Sequence, residues 1–279
     1  MEPKLTSPSV VRGVLQELGL HPKKRFGQHF LVDFHARERI VDALELSPAD
    51  RVVEIGPGLG ALTQRLVELC RDVRAIEIDK ALAAHLREHF GDALALYEGD
   101  ALEVDLPQLL GPTGKLVGNL PYNISTPLVV RILEAAPPLA VLMLQTEVAQ
   151  RLAAAPGTPE RGALSVLREF SADIETIGRV GAQLFYPPPQ VGSTVIRLRA
   201  HSPQTRSGWA EIRPVVRAAF GFRRKTLERA LAEGLGIARE RAAAALLAAG
   251  IDGGRRGETL SLLEFDRLAV GLAAAEAVQ

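Results

Sequence analysis

The sequence predicts an α/β protein with a doubly wound parallel sheet, followed by a small all-helical domain. Three observations support this fold class. Short apolar runs closed by Gly, Asp or Asn alternate with helical segments through the first half of the chain, which is typical of strand–helix–strand units. A glycine-rich turn joins the first strand to the first helix, and only helical patterning remains after residue 200. We therefore expect a Rossmann-like domain over residues 1–200 and a helical domain over residues 201–279.

Each predicted strand is a short apolar run, and each predicted helix has apolar residues at helical spacing. The predicted strands are Arg51–Ile55, Val73–Ile78, Leu94–Tyr97, Lys115–Gly118, Leu139–Leu144 and Ser193–Leu198. The predicted helices of the first domain are Leu59–Leu69 and Lys80–Phe90. Residues 201–208 are rich in turn-forming residues and predict a linker. The predicted helices of the second domain are Trp209–Phe220, Arg224–Glu233, Ala238–Ala249 and Ser261–Ala274.

Charge is distributed unevenly along the 279 residues, although 33 Lys and Arg balance 33 Asp and Glu. Residues 1–40 carry seven basic and four acidic side chains, and residues 197–256 carry thirteen basic and five acidic ones. Residues 71–147 carry six basic and eleven acidic side chains. A single basic helix is often only a solvated face. Two basic ends around an acidic middle favour a polyanionic partner held across the ends of the chain.

The composition disfavours several classes of protein. The single cysteine, Cys70, excludes an internal disulfide framework and a cysteine-cluster zinc site. His85 and His89 have helical i, i+4 spacing without a third ligand nearby, so we expect no metal. The first twenty residues contain no secretory signal, and the apolar stretch Ala242–Ile251 is too short to cross a bilayer. We expect a cytoplasmic monomer that does not contact a membrane.

A glycine-rich turn and two acidic strand ends predict an adenosine-binding site. Glycines after the first strand let the backbone turn sharply and approach a ligand. A carboxylate at the end of the second strand can accept both hydroxyl hydrogens of a ribose, and an acid after the third strand faces the same crevice or caps a helix. NAD and S-adenosylmethionine both contain adenosine, so this pattern alone leaves a nicotinamide-dependent dehydrogenase open. The candidate positions are Gly56, Gly58, Glu77, Ile78, Asp100 and Ala101.

The turn Asn119-Leu120-Pro121-Tyr122 follows the fourth predicted strand and is more specific than the glycine spacing. It resembles the active-site motif of methyltransferases that act on planar amino groups. An exocyclic adenine amine is a poor nucleophile because its lone pair is delocalised into the ring. The Asn119 side-chain oxygen and the Leu120 carbonyl can accept its two hydrogens and direct the lone pair at a sulfonium methyl held nearby. Tyr122 offers a ring on which the base can stack.

Five motifs together give a closer resemblance, which covers nearly the whole chain. They are Arg25–Leu31, Glu54–Gly60, Asn119–Pro127, Phe185–Ser193 and Arg223–Leu227. On these motifs the sequence resembles the KsgA family, the ribosomal RNA adenine dimethyltransferases of the small subunit. The chain departs from the family pattern at Thr146, Arg161 and Gly192 and in the pair Glu228-Arg229. None of these departures falls on the expected methyl-transfer residues.

The resemblance implies S-adenosylmethionine as cofactor, bound in a Rossmann-like methyltransferase domain. Residues 1–45 would then be an N-terminal extension that includes a segment closing over the cofactor. Cofactor contacts are implied at Gln28, His29, Leu31, Gly56, Gly58, Glu77, Ile78, Asp100, Ala101 and Asn119. Catalytic roles are implied at Asn119, Leu120, Tyr122 and Phe185, the last stacking on the target base opposite Tyr122. RNA phosphates would be held by Lys23, Lys24, Arg25, Arg223, Arg224 and Lys225.

The implied substrate is a pair of adjacent adenosines in a hairpin loop near the 3′ end of small-subunit (16S) ribosomal RNA, each dimethylated, within an assembling subunit. Loop bases unstack cheaply and can be flipped into a pocket. A methylase of large-subunit ribosomal RNA or of DNA adenine is an alternative, and so is a ribosome-assembly checkpoint protein with secondary catalysis. The intact Asn119–Tyr122 turn argues against lost activity. A dehydrogenase is disfavoured because nothing downstream offers an acid–base pair for hydride transfer.

Overall fold

A computed structural model describes residues 5–276, apart from the side chains of Lys24 and residues 274–276. The chain divides into two compact units. The sheet unit contains the residues up to Ala149 together with Asp173–Ala200, and the helical unit contains Gln150–Ala172 together with the residues from His201 onward. The predicted boundary at residue 200 coincides with this division. Residues 150–172, which the sequence predicted in the first domain, group instead with the helical unit.

Seven strands form one sheet in the order β4-β3-β2-β5-β6-β9-β7. The strands β2 to β6 run parallel to their neighbours, whereas β9 runs antiparallel to β6. A separate antiparallel pair joins β1 to β8. The strand bounds are β1 Phe30–Leu31, β2 Arg51–Ile55, β3 Asp72–Glu77, β4 Ala95–Glu98, β5 Lys115–Asn119, β6 Leu139–Gln145, β7 Ala172–Val180, β8 Phe185–Tyr186 and β9 Ser193–Ala200. The predicted α/β sheet is confirmed, and the six predicted strands are observed within one or two residues of their expected ends.

The strand β9 differs from the expectation of an all-parallel sheet. No α-helix lies between the end of β7 and the start of β9 to return the chain across the sheet, as a parallel neighbour requires. In its antiparallel pairing with β6, β9 begins at Ser193 opposite Gln145, where β6 ends. The sequence did not predict β7, because most of its residues are exposed or half-buried and form no apolar run.

The helices of the sheet unit cover a core that includes the fully buried Val52, Val117 and Val141 of the central strands. Helix α3 begins at Thr63 rather than at the predicted Leu59. The glycine-rich turn continues through Gly60, whose φ of 93° is one that other residues rarely adopt. The helices are α1 Pro8–Glu17, α2 Phe34–Asp42, α3 Thr63–Leu69, α4 Lys80–Phe90, α5 Leu106–Leu110, α6 Ser125–Ala135 and α7 Thr146–Ala153, which includes the boundary between the units.

The helical unit has its own apolar core, in which Val166 packs with residues of the later helices such as Ile212 and Phe265. This contact explains why residues 150–172 belong to this unit. The fully buried Arg161 donates hydrogen bonds to the Glu169 carboxylate and to the Leu260 carbonyl, which fastens the same segment. The helices are α8 Ala163–Ser171, α9 Trp209–Gly221, α10 Leu227–Leu235, α11 Arg239–Ala248 and α12 Leu262–Glu276. Four of these five were predicted, and α8 was not.

Within residues 5–276 no helix has both the length and the apolar character needed to cross a membrane. Among the described side chains no three His, Cys, Asp or Glu residues are grouped so that they could hold a metal ion.

Candidate active site

A cavity in the sheet unit opens where β2, β3 and β5 end, at the edge of the sheet where open α/β folds bind ligands. Residues before and within β1 and the turn after β4 also contribute to its wall. Every predicted cofactor contact lies on this wall: Gln28, His29, Leu31, Gly56, Gly58, Glu77, Ile78, Asp100, Ala101 and Asn119. The predicted catalytic residues Leu120 and Tyr122 line it as well. The structure therefore brings twelve of the predicted residues into one cavity.

The glycine turn is shaped to hold the Glu77 carboxylate. Gly58 has a φ of 61°, and a Cβ atom there would lie 3.1 Å from the Phe30 ring. Its N–H donates to Glu77 Oε2 at 3.1 Å, and the Asp79 N–H donates to Glu77 Oε1 at 2.9 Å. Glu77 is only 4% exposed, and this burial raises its pKa to about 7 despite the two backbone donors. A ligand that donates hydroxyl hydrogens to Glu77 would stabilise its ionised form.

A second buried acid, Glu54, also lines the cavity and was named only as the first residue of the glycine motif. Its carboxylate accepts a hydrogen bond from Thr63 Oγ1 at 2.6 Å. Burial raises the pKa of Glu54 to about 7, and the nearby Glu77 charge acts in the same direction. The signal in the sequence was an acid at the end of a buried strand.

The turn after β4 places Asp100 and Ala101 on the cavity wall. Asp100 Oδ1 accepts the Leu102 N–H at 2.8 Å, so it closes a turn rather than capping a helix. The Arg131 guanidinium donates to the carbonyls of Ala101 and Val104, at 3.3 and 2.5 Å. Arg131, which sequence reasoning did not identify, therefore holds the backbone of this turn without lining the cavity.

Asn119 ends β5, and its side chain is oriented by the chain before β1. Its Nδ2 donates to the His29 carbonyl at 2.9 Å, which leaves Oδ1 as the acceptor of this amide. The N–H of Leu120 donates to the Met143 carbonyl at 3.1 Å. These contacts fix the two groups that the sequence proposed as acceptors for an amino group.

The Tyr122 side chain is held through its hydroxyl and through its ring. Its hydroxyl lies 2.6 Å from Oγ of the buried Ser193, and its ring centroid lies 5.4 Å from that of His29, with the planes tilted by 30°. His29 Nδ1 lies 2.7 Å from the Pro187 carbonyl. Because a carbonyl only accepts, Nδ1 is the donor in this contact. Burial raises the pKa of Tyr122.

Phe185 is the predicted catalytic residue that the structure does not bring to the cavity. It pairs with Leu31 between β8 and β1, is 3% exposed, and packs in the core of the sheet unit. Its side chain does not line the cavity. The stacking role of Phe185 stays a prediction.

The predicted RNA-binding residues of the sheet unit differ in their contacts. Lys23 Nζ forms an ion pair with Asp79 at 2.9 Å. Arg25 is exposed, with its guanidinium 4.6 Å from the centroid of the Phe26 ring. The Lys24 side chain lies outside the described part of the chain.

The predicted RNA-binding residues of the helical unit differ in the same way. Arg223 Nη2 donates to the carbonyls of Pro159 and Arg161, at 2.7 and 3.2 Å. Lys225 is paired with Glu233. The Arg224 side chain is exposed to solvent.

Two turns line one cavity at the end of the sheet: the glycine turn and the Asn119–Tyr122 turn. Together with the sheet they define a methyltransferase that acts on a planar amino group. The family described as ribosomal RNA adenine dimethylase matches residues 19–268. The chain therefore belongs to the ribosomal RNA adenine dimethylase family. This finding confirms the predicted family and the predicted activity as a ribosomal RNA adenine methyltransferase.

Two bacterial relatives, both named ribosomal RNA small subunit methyltransferase A, match nearly full length. The protein of Pelotomaculum thermopropionicum is 44% identical over 283 residues, which cover 95% of this chain and 96% of that protein. The protein of Syntrophotalea carbinolica is 48% identical over 254 residues, which cover 89% of this chain and 96% of that protein.

Two solved structures share the fold. A dimethyladenosine transferase from Plasmodium falciparum has a TM-score of 0.76 at 24% identity, covering 88% of this chain and 98% of that one. The 23S rRNA methyltransferase ErmE has a TM-score of 0.63 at 30% identity, covering 87% of this chain and 99% of that one.

Proposed function

We propose that this protein transfers methyl groups from S-adenosylmethionine to the exocyclic amino nitrogens of two adjacent adenosines near the 3′ end of small-subunit (16S) ribosomal RNA. The products are dimethyladenosines in a hairpin loop of an assembling small subunit in the cytoplasm. The observation that carries the proposal is the common wall shared by Glu77, Asp100, Asn119 and Tyr122. One cavity thus joins an adenosine-type site to acceptors for an amino group.

The cavity residues fit the cofactor in charge and shape. Glu77 presents a carboxylate for ribose hydroxyls, and Ile78, 39% exposed, offers an apolar surface for an adenine ring. Asp100 can accept from an adenine amino group. When bound, S-adenosylmethionine supplies a methyl group made electrophilic by the sulfonium charge. The backbone approach at Gly58 and the segment around His29 enclose the space between these groups.

The chain contributes positioning and hydrogen bonding rather than a strong base. Asn119 Oδ1 and the Leu120 carbonyl accept the two amino hydrogens of the target adenine. This favours a tetrahedral nitrogen whose lone pair is directed at the methyl group. Tyr122, fixed by Ser193 and His29, stacks on the base. After the first transfer the methylated nitrogen loses one proton to solvent, so one N–H remains. One of the two acceptors holds this N–H during the second transfer, after which it leaves as the second proton.

The choice of small-subunit RNA rests on the relatives. Those named for the small subunit are 44% and 48% identical, whereas the 23S rRNA methyltransferase ErmE is 30% identical. A methylase of large-subunit RNA is therefore the second candidate, and an assembly checkpoint protein with secondary catalysis is the third. Exposed cations such as Arg25 and Arg224 would contact RNA phosphates in each case.

Transfer of labelled methyl groups to three purified substrates tests the proposal. Undermethylated small subunits, large-subunit RNA and duplex DNA are incubated with the protein and labelled S-adenosylmethionine. We expect incorporation only in the small subunits. Incorporation into large-subunit RNA or DNA alone would contradict the proposed substrate. Tight binding to small subunits without incorporation would favour the checkpoint protein.

A further inference from the structure

We propose that Asp79 is a positioning residue, which couples the cofactor pocket to Asn119 through the segment formed by residues 23–29. This inference rests on the proposed function and deepens it. Asp79 was not among the expected site residues, and it follows the end of β3 directly after Glu77 and Ile78.

The Asp79 carboxylate holds one end of segment 23–29. It is 3% exposed as a residue, and its Oδ1 accepts from Lys23 Nζ at 2.9 Å. Its Oδ2 accepts from Gln28 Nε2 at 3.0 Å, and Gln28 Oε1 in turn accepts the Lys23 N–H at 2.8 Å. Burial opposes ionisation, but the Lys23 ammonium and the Gln28 amide keep the pKa of Asp79 below its usual value. One ionised carboxylate therefore fastens two residues of the segment.

The backbone of Asp79 connects the same residue to the cofactor pocket. Its N–H donates to Glu77 Oε1 at 2.9 Å, and its Oδ1 also accepts the Ala81 N–H at 3.2 Å at the start of α4. Asp79 thus orients the Glu77 carboxylate through its backbone N–H and holds segment 23–29 through its side chain.

The other end of segment 23–29 is held by the active-site turn. Asn123 Nδ2 donates to the Arg25 carbonyl at 2.9 Å, and Asn119 Nδ2 donates to the His29 carbonyl at 2.9 Å. Gly27 has a φ of 60°, and a Cβ there would lie 3.0 Å from Asn123 Oδ1, so the segment packs closely against the turn. A segment released at Asp79 would carry the His29 carbonyl with it and leave the Asn119 amide less well oriented.

The variant Asp79→Asn tests this coupling because its amide can still accept the Ala81 N–H while the charge that binds Lys23 is lost. Asp50→Asn is the matched control: Asp50 forms an ion pair with Lys115 at the same 2.9 Å and accepts the Ser47 N–H, but it does not line the cavity. For Asp79→Asn we expect the KM for S-adenosylmethionine to rise about tenfold, as the loss of charge-assisted hydrogen bonds implies. We expect kcat at saturating cofactor to fall about fivefold through misorientation of Asn119.

Limited trypsin cleavage after Arg25 gives a readout that does not depend on methyl transfer. S-adenosylhomocysteine should protect this bond in wild-type protein and in Asp50→Asn, and should protect it much less in Asp79→Asn. Lys23→Met should reproduce the kinetic and proteolytic changes, whereas Lys23→Arg keeps the positive charge and should behave largely like wild type. Lys23→Met combined with Asp79→Asn should be no worse than either single variant, because both remove the same ion pair.

Equal behaviour of Asp79→Asn and Asp50→Asn in both KM and trypsin protection would overturn the coupling, even if both variants are less stable than wild type. Failure of the proposed function is distinguishable, because wild-type protein itself would then transfer no methyl group to small subunits.

Discussion

The sequence predicted the positions of the cavity residues in the sheet unit better than the surroundings of the basic residues in the helical unit. In the sheet unit, twelve predicted residues line one cavity. In the helical unit, three adjacent predicted cations have three different surroundings: Arg223 binds carbonyl groups, Lys225 is paired with Glu233, and Arg224 is exposed.

The difference reflects what each region must do. Methyl transfer requires particular atoms at particular places, so the residue types and their spacing are restricted and form recognisable motifs. Phosphate binding requires positive charge that many surface positions can supply. A basic run in the sequence therefore does not reveal which of its members are used inside the protein.

The greatest loss of activity is expected where methyl transfer requires an atom at an exact position. Asn119→Ala should lower the rate of methyl transfer by about 10²–10³, because it removes an acceptor for the target amine, while binding to small subunits changes little. Single-turnover transfer and a binding assay measure the two quantities. Asn123→Ala is the control, since it loses the same kind of hydrogen bond to segment 23–29 but no acceptor. Equal losses in both variants would remove Asn119 Oδ1 from the mechanism.

The buried acids of the cavity should make stability depend on pH. The pKa of Glu54 is raised from 4.5 to about 7, so between these values the folded protein holds a proton that the unfolded chain has released. The contribution of Glu54 to the free energy of unfolding therefore falls as the pH rises from about 4.5 to about 7.

Glu54→Gln removes this titration and keeps an acceptor for Thr63 Oγ1. Relative to wild type, the variant should gain about 2 kcal/mol of unfolding free energy between pH 5 and pH 7.5, measured by urea denaturation. Glu68→Gln changes a half-exposed side chain on α3 and should show no such gain. A pH-independent difference between Glu54→Gln and wild type would contradict the shifted pKa.

A smaller effect is expected at the support of the stacking ring. Tyr122→Phe and Ser193→Ala each remove the 2.6 Å hydrogen bond between the two hydroxyls, and each should lower transfer by about three- to tenfold. The double variant should be no slower than the slower single variant, because the same bond is lost. Ser165→Ala is the control, since Ser165 is a buried serine of the helical unit that donates to the Arg151 carbonyl at 2.6 Å. Additive losses would show that Ser193 acts on something other than Tyr122.

The smallest change is expected at Arg224, and it separates an RNA-binding role for Arg224 from a structural role for Arg223. Arg224→Glu should weaken binding to small subunits about fivefold and reduce the salt dependence of binding by about one phosphate contact. Its melting temperature should stay near that of wild type. Arg223→Glu should lower the melting temperature, because the carbonyls of Pro159 and Arg161 lose their donor. An unchanged affinity and salt slope for Arg224→Glu would show that this arginine does not contact RNA.

Local patterns predicted most of the fold and most of the site. Buried apolar runs marked six strands, and the glycine turn, Glu77, Asp100 and the Asn119–Tyr122 turn lie where their strands end. What local patterns missed depends on contacts distant in sequence. The half-exposed β7 and the packing of Val166 with the later helices have no local signature.

The supporting residues of the site were missed for the same reason. Asp79 meets Lys23 and Gln28 across more than fifty positions, and Ser193 meets Tyr122 across seventy-one. The position of the Phe185 ring likewise follows from its pairing with Leu31 in β1, which the motif around it does not specify.

We propose that the protein dimethylates adenosine of small-subunit RNA in the cavity of the sheet unit. Nucleoside analysis of that RNA by mass spectrometry, after incubation of undermethylated small subunits with wild-type protein and S-adenosylmethionine, tests it most directly. We expect N6,N6-dimethyladenosine at two adjacent positions near the 3′ end. Recovery of only unmodified adenosine, or of methyl groups on another nucleoside, would contradict this activity.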